Sequence, residues 1–453
     1  MFSLKKNSYL LLTFGFIILS GVYNSNAQVW TKVGGTLDYV NFMRFYGDKL
    51  YVGSDAQPTD FIDNNINFLF FGYGMQVSTD KGISFSDAVL TDYSVFDVIE
   101  SPSNPSILLA SARKQDIGRI IMSDDGGLTW DEETKRCEES SQIVRFHAVN
   151  ISGKDYFYAA MLNSINGFRY SDDYFATCSL SDDVNINSRD LAVSAKNPKV
   201  MYLCGDNVTK TRVLCSSDGG LTWADRSEGI NNYRILSVQT HPDNEAVVVV
   251  GADSLSPTGK VIGMGIFYSD DYGNTWRNVG ASGASILDIR VHPTDSRYWA
   301  AAGGNEGVYI SGTSGDYWEL STDGLPEDVF IRQVAIPDDE PNEEGIIVFA
   351  SVYGNGIYKS RHITTDVEDI DYRDESLIAS IIYPTPTSDI LRLKLNDDNL
   401  NIQFEILDLL GQTVHSGYIY NSNALDVSGI NSGTYMLKLV SGSKIQFKRF
   451  IKL

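Results

Sequence analysis

The chain has 453 residues, and 36 Lys plus Arg against 58 Asp plus Glu give it a net charge of −22. That balance argues against nucleic acid and anionic membrane surfaces as partners, since both are bound by clustered Lys and Arg. A hydrophobic share of 43% excludes wholesale disorder, and 25 Tyr with 21 Phe lean toward β structure.

The N-terminus carries Lys5 and Lys6, an uncharged apolar run from Tyr9 to Val22, and small residues at Ser25 and Ala27. This pattern predicts a secretory signal peptide over residues 1–27, cut before Gln28. The run is short for a membrane span, and no other run is long enough, so the mature protein is expected to be exported without a transmembrane span.

From there one pattern recurs, Ser-x-Asp-x-Gly-x-Thr-Trp. Good copies are Ser123, Asp125, Gly127, Trp130; Ser216, Asp218, Gly220, Trp223; and Ser269, Asp271, Gly273, Trp276. A weaker copy has Ser78, Asp80 and Gly82, followed by Phe85. Two are degraded: Ser171, Asp173 with Phe175 in the Gly place, and Ser311, Gly315, Trp318 with Thr313 in the Asp place. The Ser-to-Ser steps of 45, 48, 45, 53 and 42 are a propeller or solenoid period. A short strand precedes each copy, and a seventh, Gly356 to Ser360, has no box after it. Trp30-Thr31-Lys32-Val33-Gly34 echoes Trp276-Arg277-Asn278-Val279-Gly280. The N-terminus thus supplies the strand that the last repeat lacks. The expected fold is all-β: a seven-bladed β-propeller over residues 28–361, closed by its N-terminal strand, then a small C-terminal antiparallel β-sandwich. Closure removes the free sheet edges of a linear array.

The pattern resembles the Asp-box, or BNR, repeat of sialidase-like propellers. With the turns at His292-Pro293, His241-Pro242, Ser101-Pro102 and Ile336-Pro337, it also resembles the propellers of xyloglucan-hydrolysing glycosidases, Vps10-type sorting receptors and photosystem-assembly factors. The resemblance implies that the boxes hold outer hairpins, with Ser, Asp, Gly and Trp as structural residues. It also implies that ligands bind at the channel mouth on the opposite face. Aligning the repeats puts one polar residue near the start of each inner strand: Asn41, Asp97, Arg145, Asp190, Ser237, Asp288 and Gln333. These are the candidate ligand-binding residues, and Asp97, Asp190 and Asp288 are the catalytic candidates for a carboxylate-pair glycosidase. The insertion from Ser54 to Gly72, with Phe61, Phe68, Phe70 and Phe71, could stack on sugar rings. The stretch from Asp253 to Met264 is Gly- and Ser-rich and reads as a flexible loop. Arg44, Arg145, Arg234, Arg290 and Arg332 form no assignable sialidase triad, and the chain has room for one propeller where the xyloglucan hydrolases use two. No His spacing suggests a metal, and nothing predicts a cofactor.

Four cysteines in an exported chain permit two disulfides, in any of three connectivities. Cys204 and Cys215 flank one hairpin and could bridge it, leaving Cys137 to pair with Cys178 from the adjacent blade. Residues 362–380, rich in Asp and Glu, read as a linker. Beyond them come Pro384-Thr385-Pro386, Gly411-Gln412, Asp426-Val427-Ser428-Gly429, Gly433-Thr434-Tyr435 and a basic last strand ending at Leu453. This order resembles the type A C-terminal sorting domain of the Bacteroidetes type IX secretion system, over residues 381–453. The resemblance implies passage across the outer membrane by that machinery, then release or attachment at the cell surface. The leading functional expectation is a secreted or cell-surface binding or scaffold protein with an extracellular glycan or protein ligand. The alternative is a glycoside hydrolase of sialidase-like or xyloglucanase-like type acting at the channel mouth.

Overall fold

The computed structural model describes residues 29–362, apart from 36, 55–72, 115–116, 135, 138–141, 163, 165, 182–183, 208–210 and 339–344. It also describes residues 379–452, apart from 384–386, 388, 396–401, 409–411, 420–423 and 442–443. The segments read as signal peptide, as aromatic insertion and, in the main, as linker therefore lie outside the described residues.

Every regular element described is a strand. Seven antiparallel sheets follow one another along the chain. Blade one is Val40–Tyr46, Lys49–Ser54 and Met75–Ser78; blade two is Ser94–Ser101, Asn104–Lys114 and Ile117–Ser123; blade three is Gln142–Ile151, Lys154–Leu162 and Phe168–Ser171. In these three the fourth strand is reduced to a single bridge, at Val89, Asp131 and Ser179. Blade four is Asn187–Val193, Met201–Asp206, Thr211–Ser216 and Ala224–Asp225. Blade five is Arg234–Thr240, Val248–Leu255, Val261–Ser269 and Arg277–Gly280. Blade six is Asp288–Val291, Trp299–Ala302, Val308–Ser311 and Glu319–Ser321. Blade seven is Ile331–Ala335, Ile346–Val352 and Gly356–His362, and its fourth strand is Thr31–Lys32. Thr31 pairs with Lys359 and Lys32 with Tyr358, so the first strand of the chain completes the last sheet. The first strand of each blade packs on that of the next, and blade seven's packs on blade one's, which closes the ring.

The core is a set of wedges between blades. Among the described residues seven apolar clusters lie one at each interface, from blades one and two round to blades seven and one. Second strands are covered on both faces, so they are continuous small and β-branched runs such as Val248-Val249-Val250 and Ala300-Ala301-Ala302, all fully buried. The Trp of each box reaches back to the preceding blade: Trp223 meets Phe168 edge-on, and the Trp276 indole N–H donates to Arg226 O at 2.8 Å.

The stretch from Asp253 to Met264 is not a loose loop. Ser254 pairs with Ile262 and Leu255 with Val261, so the blade-five hairpin extends as an arm past the sheet. The β-branched Val261 and Ile262 outweigh the Gly and Ser around them.

At the C-terminus, Ala379–Tyr383, Ile390–Leu395 and Ala424–Asp426 form one sheet. Thr413–Ile419, Ile402–Leu407, Gly433–Ser441 and Lys444–Lys452 form another. Leu391, Leu393, Phe404, Ile406, Leu437 and Phe450 are buried in their common core, giving the expected small sandwich. The Asp426 carboxylate accepts the Ser428 N–H and hydroxyl, which explains the Asp-Val-Ser-Gly turn.

Candidate functional site

The inner strands place the channel residues through a shared irregularity. In six blades the pairing with the second strand slips by one residue near the strand's start. The residue just past the slip is Asp97, Arg145, Asp190, Ser237 or Gln333 in five of them, and blade six begins on the equivalent Asp288. In blade one that place belongs to Phe42. Asn41 is the extra residue of the bulge, buried, with both amide atoms unpartnered. The seven-residue alignment is therefore one position off at Asn41, because an inserted residue reverses the side-chain alternation.

These residues staple the ring from inside. Asp97 accepts Phe146 N–H of blade three at 2.6 Å, Asp190 accepts Val238 N–H of blade five at 3.1 Å, and Asp288 accepts Val334 N–H of blade seven at 3.2 Å. Gln333 accepts Met43 N–H of blade one at 3.0 Å. Each of Asp97 and Asp190 also takes the N–H of its own next residue. Arg145 donates to Asp190 at 2.8 Å and, across the channel from blade three to blade six, to Asp288 at 3.2 Å. Arg44 binds Asp97 at 3.0 Å and the Phe146 carbonyl, and Arg290 lies 2.8 Å from Asp288. Ser237 is the exception, buried with a free hydroxyl.

Three guanidiniums thus offset three carboxylates that are closed to solvent. Burial opposes the charge of Arg145, but Asp190 and Asp288 outweigh it and raise its pKa. Burial raises Asp288 despite Arg290 and Arg145. Burial, with Arg44, Arg145 and Arg290 nearby, pushes His147 down to about 3, so its ring is neutral at ordinary pH. Arg44, His147 and Arg290 were not picked out by the repeat alignment. Each lies two residues past a channel position, and so on the same strand face, which is the signal that finds them. Each carboxylate thus has both oxygens engaged by backbone N–H groups and guanidinium.

The Ser-x-Asp turns are self-contained. In blade two, Ser123 donates to Asp125 at 2.8 Å and accepts Gly127 N–H at 2.8 Å; Asp125 accepts the Thr129 N–H at 2.9 Å and hydroxyl at 2.5 Å. The same bonds recur at Asp80, Asp173, Asp218 and Asp271. At Thr313 the hydroxyl accepts Tyr317 N–H instead. Hydrogen bonds from Ser84 and Thr129, respectively, lower Asp80 and Asp125 to about 2. Phe175 keeps the left-handed φ of the glycines it replaces (57°), at a cost of about 1–2 kcal/mol. Its fully buried ring offsets that cost by packing on Phe146 and Phe157. His292 and His241 accept backbone N–H groups within their own turns.

Cys137 and Cys178 form a disulfide with Cα atoms 5.6 Å apart. Cys204 and Cys215 are free and buried, contrary to the hairpin bridge expected from their spacing. The register pairs Cys204 with Val213 and Cys215 with Tyr202, so the two never stand opposite each other.

The face opposite the Ser-x-Asp turns carries the first-strand starts and the second-to-third-strand loops. Arg234 grips Asp253 with two bonds of 2.6 Å, and Ser285 donates to the same carboxylate at 2.7 Å. Tyr39, Tyr353 and the 38% exposed Phe330 cluster edge-on beside Arg332.

Residues 381–453 match the family model described as the secretion system C-terminal sorting domain. A search of the curated proteins finds no match to the chain. Among solved structures, an ancestral GH74 enzyme aligns at 13% identity and TM-score 0.54, over 93% of this chain and 63% of that one. A YCF48 protein bound to a D1 peptide aligns at 13% identity and TM-score 0.51, over 73% of this chain and 96% of that one. PorZ, a surface component of the type IX secretion system of Porphyromonas gingivalis, aligns at 13% identity and TM-score 0.47, over 93% of this chain and 60% of that one. This chain thus spans less than two thirds of the GH74 enzyme and of PorZ. At these identities the likeness is one of fold. No helix among the described residues is long and apolar enough to cross a membrane. Fold and tail together define an exported β-propeller protein. The C-terminal sorting domain sends it out through the type IX secretion machinery, to be secreted or held at the outer cell surface.

Proposed function

We propose that this chain is an Asp-box propeller that binds an extracellular glycan or protein and performs no hydrolysis in its channel. Its parts are a signal peptide (1–27), the propeller (28–361), an acidic linker (362–380) and the sorting domain (381–453). The observation that carries the reading is the commitment of Asp97, Asp190 and Asp288. Each is buried, bonded to a backbone N–H of another blade and tied to an arginine. A glycosidase needs carboxylates open to a sugar on both sides of the scissile bond. The raised pKa of Asp288 would suit a general acid, but Arg145 and Val334 N–H bond its two oxygens and Arg290 pairs with it at 2.8 Å. The loops opposite the Ser-x-Asp turns, with the Arg234–Asp253 clasp and the Tyr39, Phe330 and Tyr353 cluster, form the ligand face. The YCF48 structure supports the reading as a propeller of this fold that holds a peptide. The Vps10-like and BNR affinities remain part of this proposal, resting on the repeat pattern.

The test is a glycan array and a cell-surface protein capture with the exported protein, repeated with Phe330→Ala and Arg234→Ala. Binding that either variant weakens supports the proposal; binding indifferent to both moves the ligand off this face.

A further inference from the structure

Arg145, spanning from blade three to blade six, divides the channel. On one side lies the mouth. On the other, toward the Ser-x-Asp turns, lies a second ring two residues farther along each inner strand: Arg44, Ile99, His147, Ala192, Gln239, Arg290 and Ala335. This ring holds two guanidiniums and an imidazole and no carboxylate.

The carboxylates of the first ring do not saturate it. Asp97 and Asp288 are closed to solvent, yet the side chains of Arg44 and Arg290 keep 19% and 20% of their surface exposed. Arg44 gives Asp97 its one short bond, and its other contacts, to the Phe146 carbonyl and the Tyr46 hydroxyl, are long at 3.3–3.4 Å. Arg290 Nη2 lies 2.8 Å from Asp288 but is not aligned to hydrogen-bond it. Arg290 adds only the Ile289 carbonyl, at 3.1 Å. Burial and the nearby Arg145 lower its pKa although Asp288 and Asp190 act to raise it. His147 contributes the second observation: its Nδ1 is buried with no partner. A buried polar atom without a partner calls for a ligand or a water. A cation would be repelled here, and a single neutral hydroxyl could accept from only two of the three groups. An oxyanion answers all three groups. It accepts from Arg44 and Arg290, and from His147 in the tautomer that carries its proton on Nδ1.

We propose that this half of the channel, between Arg44, His147 and Arg290, is a binding site for a small oxyanion: a phosphate, or the carboxylate of a larger ligand. The site is separate from the mouth-face ligand proposed above and stands without it. The chain's acidity works against attraction at a distance, so affinity comes from placed donors and not from the overall field.

The test titrates the exported protein with sodium phosphate and, in parallel, with sodium acetate, each against sodium chloride at matched ionic strength. Calorimetry and thermal melting are the readouts. The expected result is saturable binding of at least one anion, weakened at least about tenfold, or about 1.4 kcal/mol, by Arg290→Gln and by His147→Phe. Arg290→Gln leaves Asp288 held by Arg145 and Val334 N–H, so the ring keeps its staple. Which anion binds tells phosphate from carboxylate. No saturable response beyond chloride, or equal binding by the variants, overturns the proposal. Should a variant not fold, the Nδ1 nitrogen resonance of His147 in the unmutated protein decides. A shift on saturation supports the site, and an unmoved resonance sinks it.

Discussion

Trp30 is the clasp of the ring. It is 2% exposed and packs among Tyr298, Ala300, Val308, Val348 and Tyr358 of blades six and seven. Its backbone N–H donates to Asp323 O at 2.8 Å, its indole N–H donates to the Ser321 hydroxyl at 3.0 Å, and its ring lies 5.4 Å from that of His362. Beside it Thr31 and Lys32 pair with blade seven and Val33 N–H donates to Ile357 O at 2.9 Å, a short stretch of backbone that the buried side chain anchors. Truncating a buried Trp costs about 3–5 kcal/mol. With about 2.1 cal/mol/K of unfolding entropy per residue, over roughly 330 propeller residues, Trp30→Ala should lower Tm by about 4–7 °C. The assay is differential scanning calorimetry beside Leu128→Ala, whose side chain is 80% exposed and whose loss should change little. Equal melting of the two variants would refute the closure, since a ring that does not depend on its first strand has no clasp there.

Other consequences follow from the same geometry. Arg145→Met strips Asp190 of its arginine and leaves Asp288 with Arg290 alone, and should cost about 3–5 kcal/mol in urea unfolding; an unchanged midpoint would mean the cross-channel pair holds nothing. The folded pKa values of Asp80 and Asp125 are depressed to about 2. The stability they add is therefore present above the unfolded value, near 4, and lost as pH falls toward 2. Melts at pH 5, 4, 3 and 2 should show that loss, and Asp80→Asn with Asp125→Asn should flatten it. Alkylation of the denatured protein without reductant should modify Cys204 and Cys215 only; four adducts would contradict the Cys137–Cys178 bond.

The blades were legible because each repeat closes its own turn. A Ser, Asp, Gly and Thr at fixed spacing can bond only to one another, so the pattern survives in the chain as a local signature. The closing strand was legible because Trp30 does for blade seven what Trp276 does for blade five. What escaped depends on register and on distance. A bulge leaves no residue signature, so Asn41 took the place of Phe42. The spacing of Cys204 and Cys215 suggested a bridge, but facing residues are set by where the turn falls. The clasp from Arg145 to Asp288 joins residues 143 apart, a contact that exists only once the ring has closed. Arg44, His147 and Arg290 meet for the same reason, from blades one, three and six.

The proposed function has the buried carboxylates hold the ring and take no part in hydrolysis. Its most direct test is a reducing-sugar assay across plant, algal and microbial polysaccharides, using the exported protein and a folded Asp288→Asn variant. The account predicts no release above background from either protein, with the variant distinguished only by lower stability. Sugar release by the unmutated protein that disappears in a folded Asp288→Asn variant would contradict it.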